Sequence, residues 1–186
     1  MKIVKHYEDI YEIQDFLNEE ELSTLLLSAT DGDFEESKEI WNGRPSTGNV
    51  VKDLNAQSLA LIPKISDKIM SFFENAHSHT KIANIRQLKP GEHMPVHKDE
   101  GYPDSNIKII YGVVIYLNDN FSGGLLNYPK LKISIKPKAG SMVIHNSQIH
   151  HKVLKVKSGN RYPKPGNRYS LTTFIIGDEK TKFKNQ

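Results

Sequence analysis

The run His97-Lys98-Asp99, inside the stretch LKPGEHMPVHKDEG (residues 88–101), decides how the rest of the chain is read. A His and an Asp two residues apart in extended backbone project from the same face, so both side chains can reach one metal ion. In 186 residues with 8 His, one His-x-Asp arises easily by chance, and the pair needs partners before it carries meaning. The partners stand further along the chain. His150-His151 opens the apolar run Val153-Leu154-Lys155-Val156, and Arg168-Tyr-Ser-Leu171 leads into the strand-like Thr172-Thr-Phe-Ile-Ile176.

An oxygen-activating non-haem Fe(II) centre uses two His and one carboxylate on one face and keeps the other face open. His97, Asp99 and one of His150 or His151 can supply that set. Two neutral imidazoles and one carboxylate leave the iron with a residual positive charge, which welcomes an anionic chelator such as a 2-oxoacid. If that acid is 2-oxoglutarate, its far carboxylate needs a deeply placed cation, and a guanidinium suits it. Arg168 is the first candidate, because Ser170 shares its face of a strand and can bond the same carboxylate. Arg161 is the rival, although the intervening YPKPGN reads as an exposed turn.

Composition narrows the remaining classes. The chain has no Cys, which excludes disulfides, thiolate-ligated zinc, iron-sulfur clusters and a thiol nucleophile, and suits a reducing compartment. The start, MKIVKHYEDIYEIQ, turns acidic before an apolar stretch develops, so neither a signal peptide nor a membrane span is expected, and the cytoplasm is the expected location. Formal charge is +3 and the pI about 8.9. Much of the excess lies late, in Lys152, Lys155, Lys157, Arg161, Lys164 and Arg168, where a solvated hairpin explains it better than a nucleic-acid surface.

At this length one domain is expected. Ile10–Phe16 alternates as a half-buried strand would, and Asn18 then starts a helix, with Glu21 as capping-box partner and Leu22, Leu25, Leu26 and Ala29 as its apolar stripe. Residues 31–49 read as a long loop around Trp41, the only Trp. Leu59, Ile62, Ile65, Ile69 and Phe72 follow helical spacing over 56–75, with Pro63 either kinking one helix or starting a second. His77-Ser78-His79 reads as a surface loop. From residue 82 the pattern is β: 82–88, 107–117, 124–128, 133–135, 141–145, 151–156 and 169–176, divided by turn signals. Short strands at this spacing predict a sandwich or barrel with the helices on one outer face, an α+β, mainly β assembly.

Four ordered blocks, LKPGEHMPVHKDEG, GVVIYLNDNFSGGLLNYP, ISIKPKAGSMVIHNSQIHHKVLKV and GNRYSLTTFII, resemble the catalytic core of Fe(II)/2-oxoglutarate-dependent dioxygenases, particularly the prolyl 4-hydroxylase-like branch. The resemblance implies a double-stranded β-helix, or jelly roll, with N-terminal helices buttressing one sheet. It divides the single 1–186 domain into helical support and lid (1–80), catalytic core (81–177) and tail (178–186). It makes His97, Asp99 and His151 the iron ligands, since the family's distal His stands two residues before a Val, here Val153, and it leaves His150 on the opposite face. It matches Arg168 to the family's basic residue for 2-oxoglutarate, and Tyr116 to a Tyr that bonds the same cosubstrate in related hydroxylases, with an ordinary core aromatic as the alternative for Tyr116. Leu88 replaces a Tyr common in the family, and the interval from His151 to Arg168 is long.

The implied reaction uses Fe(II), 2-oxoglutarate and O2, with ascorbate as reductant, and hydroxylates an unactivated C–H bond. Retention of Asp99 disfavours halogenation. A prolyl residue of a peptide or protein is the first expected substrate, and a free amino acid or other small molecule the alternative. Nucleic-acid demethylases of the superfamily carry an Arg six residues after the 2-oxoglutarate Arg, where this chain has Phe174. A non-catalytic metal-binding jelly roll is the remaining alternative.

Overall fold

Strand Arg168–Ile176 shows how the chain is layered. Leu171 and Ile175 enter a helix-covered core, while Arg168, Ser170, Thr172 and Phe174 line a cavity on the other face, the period of two that extended backbone imposes. This is a computed structural model, and it describes residues 1–31, 33–36, 40–41, 44–45, 50–82, 84–99, 108–136, 138–157 and 166–184. Most of the 31–49 loop, the Trp41 side chain, residues 102–107 and Arg161 lie outside the described residues.

The main elements are β1 Lys2–Tyr7, β2 Ile10–Gln14, α1 Glu19–Thr30, β3 Glu35–Glu36, β4 Val50–Asp53, α2 Ala56–Met70, β5 Ser78–His79, β6 Asn84–Leu88, β7 Met94–His97, β8 Ile109–Tyr116, β9 Leu126–Tyr128, β10 Ile133–Ile135, β11 Met142–Asn146, β12 His151–Val153 and β13 Arg168–Ile176. The larger sheet runs β1-β2-β11-β8-β13-β6-β4-β3, with β5 added beside β13, and the smaller runs β7-β12-β9-β10. Pairing is antiparallel in both.

Ile10, Tyr116 and Val143 of the larger sheet meet Leu126, Tyr128 and Ile135 of the smaller, which makes an inter-sheet core. The larger sheet's other face packs under α1 and α2 through Leu25, Ala29, Ile65 and Ile69. The result is the expected jelly roll with buttressing helices. Burial on both faces explains why IIYGVVIY and MVIHN read as nearly continuous apolar runs without alternation.

Local chemistry sets the boundaries. Asn18 Oδ1 accepts from the Glu21 N–H at 2.8 Å and the Glu21 carboxylate accepts from the Asn18 N–H at 3.0 Å, the expected capping box. Pro63 lies inside a single α2 that ends at Met70, so the helix is shorter than its periodicity predicts. β1 was not legible, and it pairs with β2 across a turn where Asp9 takes a φ of 57°. β2 is not half-buried: Ile10, Tyr11, Glu12 and Ile13 are all buried, because it lies between β1 and β11 with packing on both faces. Ser78–His79, expected in a surface loop, extends the sheet beside Ile175–Ile176. Beyond residue 177, Lys182–Phe183 pairs with Phe73–Glu74, and Phe183 stacks on Tyr11 at 4.1 Å. No helix among the described residues is long and apolar enough to cross a membrane.

Candidate metal centre and its cavity

β7 and β12 are neighbours in the smaller sheet, with His97 directly opposite His151. The register places the two rings 4.3 Å apart between centroids. Asp99 follows β7, tied down by its N–H donating to the Ser147 carbonyl at 3.0 Å. Its Oδ1 lies 3.8 Å from His97 Nε2 and 3.6 Å from His151 Nε2. One ligand atom from each of the three, all buried, falls within 4.8 Å of the others, so the group can hold one metal ion. His150, half-buried, is not part of it.

Each imidazole is oriented by its own backbone. His97 Nδ1 lies 2.8 Å from the Pro95 carbonyl and His151 Nδ1 lies 2.9 Å from that of Ile149. A carbonyl can only accept, which assigns the proton to Nδ1 and leaves the Nε2 lone pairs facing Asp99. Burial lowers the pKa of His97, and lowers that of His151 to about 3, so both rings are neutral ligands at physiological pH. Burial pushes the Asp99 carboxyl up, but the hydrogen bond that it accepts from His145 leads the opposing effects, and the carboxyl stays below the ordinary value.

His145 was missed in the sequence. Its Nε2 lies 2.9 Å from Asp99 Oδ2, and its Nδ1 lies 3.2 Å from Tyr128 Oη. The only available signal was its place on the predicted strand 141–145, and apolar residues on both faces of that strand hide which way His145 points.

The cavity beyond the three ligands is walled by Leu88, Met94, Val114, Leu126, Val153, Thr172 and Phe174, with Arg86 and Arg168 as its cations. Arg168 is buried and donates from Nη1 to Ser170 Oγ at 3.1 Å, and its guanidinium carbon lies 5.0 Å from the Tyr116 ring centroid. Among the described residues no carboxylate meets it, and both Arg168 Nε and Tyr116 Oη are buried without a well-formed hydrogen bond, the two side chains lying close enough only to interact with each other. Burial lowers the Arg168 pKa, and Tyr116 partly offsets this. A buried guanidinium beside two unmatched polar atoms is costly unless an anion completes it. The donor set therefore fits a carboxylate. Leu88 pairs with Arg168 across β6 and β13 and contributes only apolar surface to the cavity.

The 1–80 region contributes little to this cavity among the described residues, whose cavity-lining positions all follow residue 85. Three solved structures share the fold. A collagen prolyl hydroxylase of Paramecium Bursaria Chlorella virus-1, in a 2OG complex, is 19% identical, with 91% of this chain and 97% of that chain covered at a TM-score of 0.66. A prolyl-4-hydroxylase of Pseudomonas putida is 18% identical, with 91% and 93% covered at 0.61. A Trichoplax adhaerens prolyl hydroxylase, in complex with a hypoxia inducible factor oxygen degradation domain peptide fragment, is 16% identical, with 92% and 85% covered at 0.69. No curated protein matches the chain. The family model described as the 2OG-Fe(II) oxygenase superfamily matches residues 80–176, more than half of the chain and the whole of the cavity wall. The chain therefore belongs to the 2OG-Fe(II) oxygenase superfamily, the 2-oxoglutarate-dependent dioxygenases.

Proposed function

We propose that His97, Asp99 and His151 hold Fe(II), that Arg168 with Ser170 and Tyr116 takes the far carboxylate of 2-oxoglutarate, and that the enzyme hydroxylates a prolyl residue of a peptide or protein. The observation that carries the cofactor assignment is the pairing of a buried two-His, one-carboxylate group with a buried guanidinium that meets no carboxylate among the described residues, on one cavity. The prolyl hydroxylases among the structural neighbours favour the substrate, one of them holding a peptide fragment. Held by His97, Asp99 and His151, iron with 2-oxoglutarate and O2 would supply the oxidising chemistry for hydroxylation of a C–H bond, with succinate and CO2 as co-products.

The chain's own residues do the rest. The Pro95 and Ile149 carbonyls hold the two imidazoles so that Nε2 faces the centre, and the depressed pKa values keep a proton from competing with the metal. Apolar Leu88, Met94, Val114 and Val153 keep water from the reacting carbon. Ascorbate serves as reductant, and the enzyme works as one domain in the cytoplasm.

A second reading has its own observation. Thr172 and Ser170 add hydroxyls to an otherwise apolar cavity wall, which suits a small polar substrate such as a free amino acid. Nucleic-acid demethylation is disfavoured by Phe174, an apolar side chain on the same wall.

Anaerobic addition of Fe(II) and 2-oxoglutarate should produce the visible charge-transfer band of the chelate. The band should vanish in His151→Ala and need far more 2-oxoglutarate in Arg168→Ala. Bound iron without a band in the wild type would refute the cosubstrate assignment. Substrate is then tested with proline peptides against free amino acids, followed by succinate release and a mass gain of one oxygen. Turnover confined to free amino acids would reject the peptide assignment.

A further inference from the structure

Asp99 has two carboxylate oxygens, and the fold gives them different neighbours. Oδ1 lies toward both ligand imidazoles, at 3.8 Å and 3.6 Å from their Nε2 atoms. Oδ2 lies 2.9 Å from His145 Nε2. A carboxylate oxygen only accepts, so Nε2 carries the proton, and Nδ1 is then the acceptor for the Tyr128 hydroxyl at 3.2 Å. Tyr128, His145 and Asp99 form a buried chain in which every donor has an acceptor, with Tyr128 and His145 both at 0% exposure.

The backbone is shaped around this chain. On β8, Gly112 stands opposite His145 of β11 and Phe174 of β13. A Cβ at Gly112 would lie 2.1 Å from Asp99 Oδ2 and 2.7 Å from His145 Nε2, inside both atoms. Any side chain there would drive the hydrogen-bonded pair apart. An apolar residue in place of His145 would fill the core without needing partners, so volume alone does not account for three matched polar groups and a glycine notch.

We propose that His145 is a positioning residue: braced by Tyr128 and admitted by Gly112, it holds Asp99 Oδ2 so that Oδ1 alone is offered to the metal. A carboxylate free to turn could ligate through both oxygens and take up a coordination position. Held to one oxygen, Asp99 and the two histidines occupy three positions and leave the remainder for cosubstrate and O2. The inference rests on Asp99 being a metal ligand.

The test needs no turnover. Mn(II) affinity is measured by calorimetry, and the d–d spectrum of the Co(II) form reports coordination number. Asp99→Ala is the control: unchanged Mn(II) affinity there would remove the ligand assignment itself, apart from anything said of His145. With that control weakened, His145→Leu should bind Mn(II) about 10- to 100-fold more weakly, the usual loss for a partner of a ligand. Its Co(II) spectrum should shift toward higher coordination. His145→Gln, whose amide N–H can occupy the Nε2 position, should stay within about 3-fold of wild type. Folded His145→Leu with wild-type affinity and spectrum would overturn the proposal, as would equal losses in His145→Leu and His145→Gln. If His145→Leu does not fold, Tyr128→Phe, which deletes one hydroxyl, decides: a weaker Mn(II) affinity supports the chain, and an unchanged affinity and spectrum overturn it.

Discussion

Arg168→Met should change the protein in two opposite directions. In the cofactor-free protein the guanidinium is buried with Nε unmatched and no carboxylate partner among the described residues. Replacing a buried ion by an apolar side chain of similar volume is neutral to stabilising by about 1–4 kcal/mol. Loss of the bond to Ser170 Oγ returns about 1 kcal/mol of that. The net gain is about 0–3 kcal/mol, which at this chain length raises Tm by roughly 0–12 °C. Binding moves the other way. Losing a charge-assisted contact worth about 3 kcal/mol weakens 2-oxoglutarate by about 100-fold. At 100 times the wild-type Kd, with Mn(II) present to prevent turnover, wild type gains about 2.7 kcal/mol and the variant about 0.4 kcal/mol. Thermal unfolding followed by circular dichroism, with and without Mn(II) and 2-oxoglutarate, reads both signs. A variant less stable than wild type when cofactor-free, yet stabilised equally by 2-oxoglutarate, would show that Arg168 is a structural cation and not an anion site.

Asn18→Ala removes the N-cap acceptor of α1 and should lower stability by about 1 kcal/mol in urea unfolding, leaving metal affinity unchanged. Phe183→Ala should cost about 3–5 kcal/mol, because its ring stacks on Tyr11 and packs against Phe72; a loss below about 1 kcal/mol would mean that the terminal segment is dispensable. The metal-free protein should be acid-labile. His151 is neutral in the fold with its pKa pushed down to about 3, whereas the unfolded chain protonates it near 6.5, so its contribution is fully present above pH 6.5 and is lost as pH falls toward 3. Urea unfolding at pH 5 should give a stability lower by on the order of 2 kcal/mol than at pH 7.5, and an unaltered pH slope in His151→Leu would contradict the assignment.

The parts of the molecule legible in the sequence are those written in short-range patterns. Asn18 and Glu21 announce the start of α1 because a capping box needs only three residues of separation. His97, Asp99, Arg168 and Ser170 can be matched in pairs because period-two projection places each pair on one face. Turn residues fix most of β6 to β13 within two residues. What stayed hidden depends on pairing at long range. β2 looks half-buried until β1 and β11 flank it. His145 acquires meaning only when β8 and β11 bring it to Asp99, and Gly112 looks like an ordinary strand glycine until the carboxylate it admits is in place. Phe183 looks like part of a tail because its partners Tyr11 and Phe72 lie at the other end of the chain.

The buried charges also predict how the two cofactors depend on each other. Asp99 is ionised, Arg168 is cationic, and the depressed pKa values of His97 and His151 leave them neutral, so these four groups sum to zero, with Arg86 adding a further positive charge on the cavity wall. A divalent metal alone adds two positive charges to a cavity of low dielectric, and 2-oxoglutarate alone adds two negative ones. Together they add no net charge, and desolvating that balanced pair costs less than desolvating either alone. Metal and cosubstrate should each tighten the other by the same factor, about 5- to 150-fold. Arg168→Met alters the balance in a diagnostic way: without the guanidinium's repulsion, Mn(II) alone should bind more tightly than in wild type, even though 2-oxoglutarate binds more weakly. Calorimetric titration of Mn(II) into both proteins, with and without 2-oxoglutarate, measures all four affinities. Mn(II) affinities that ignore both the cosubstrate and the substitution would mean that solvent in the cavity screens these charges, and the electrostatic account of coupling would fail.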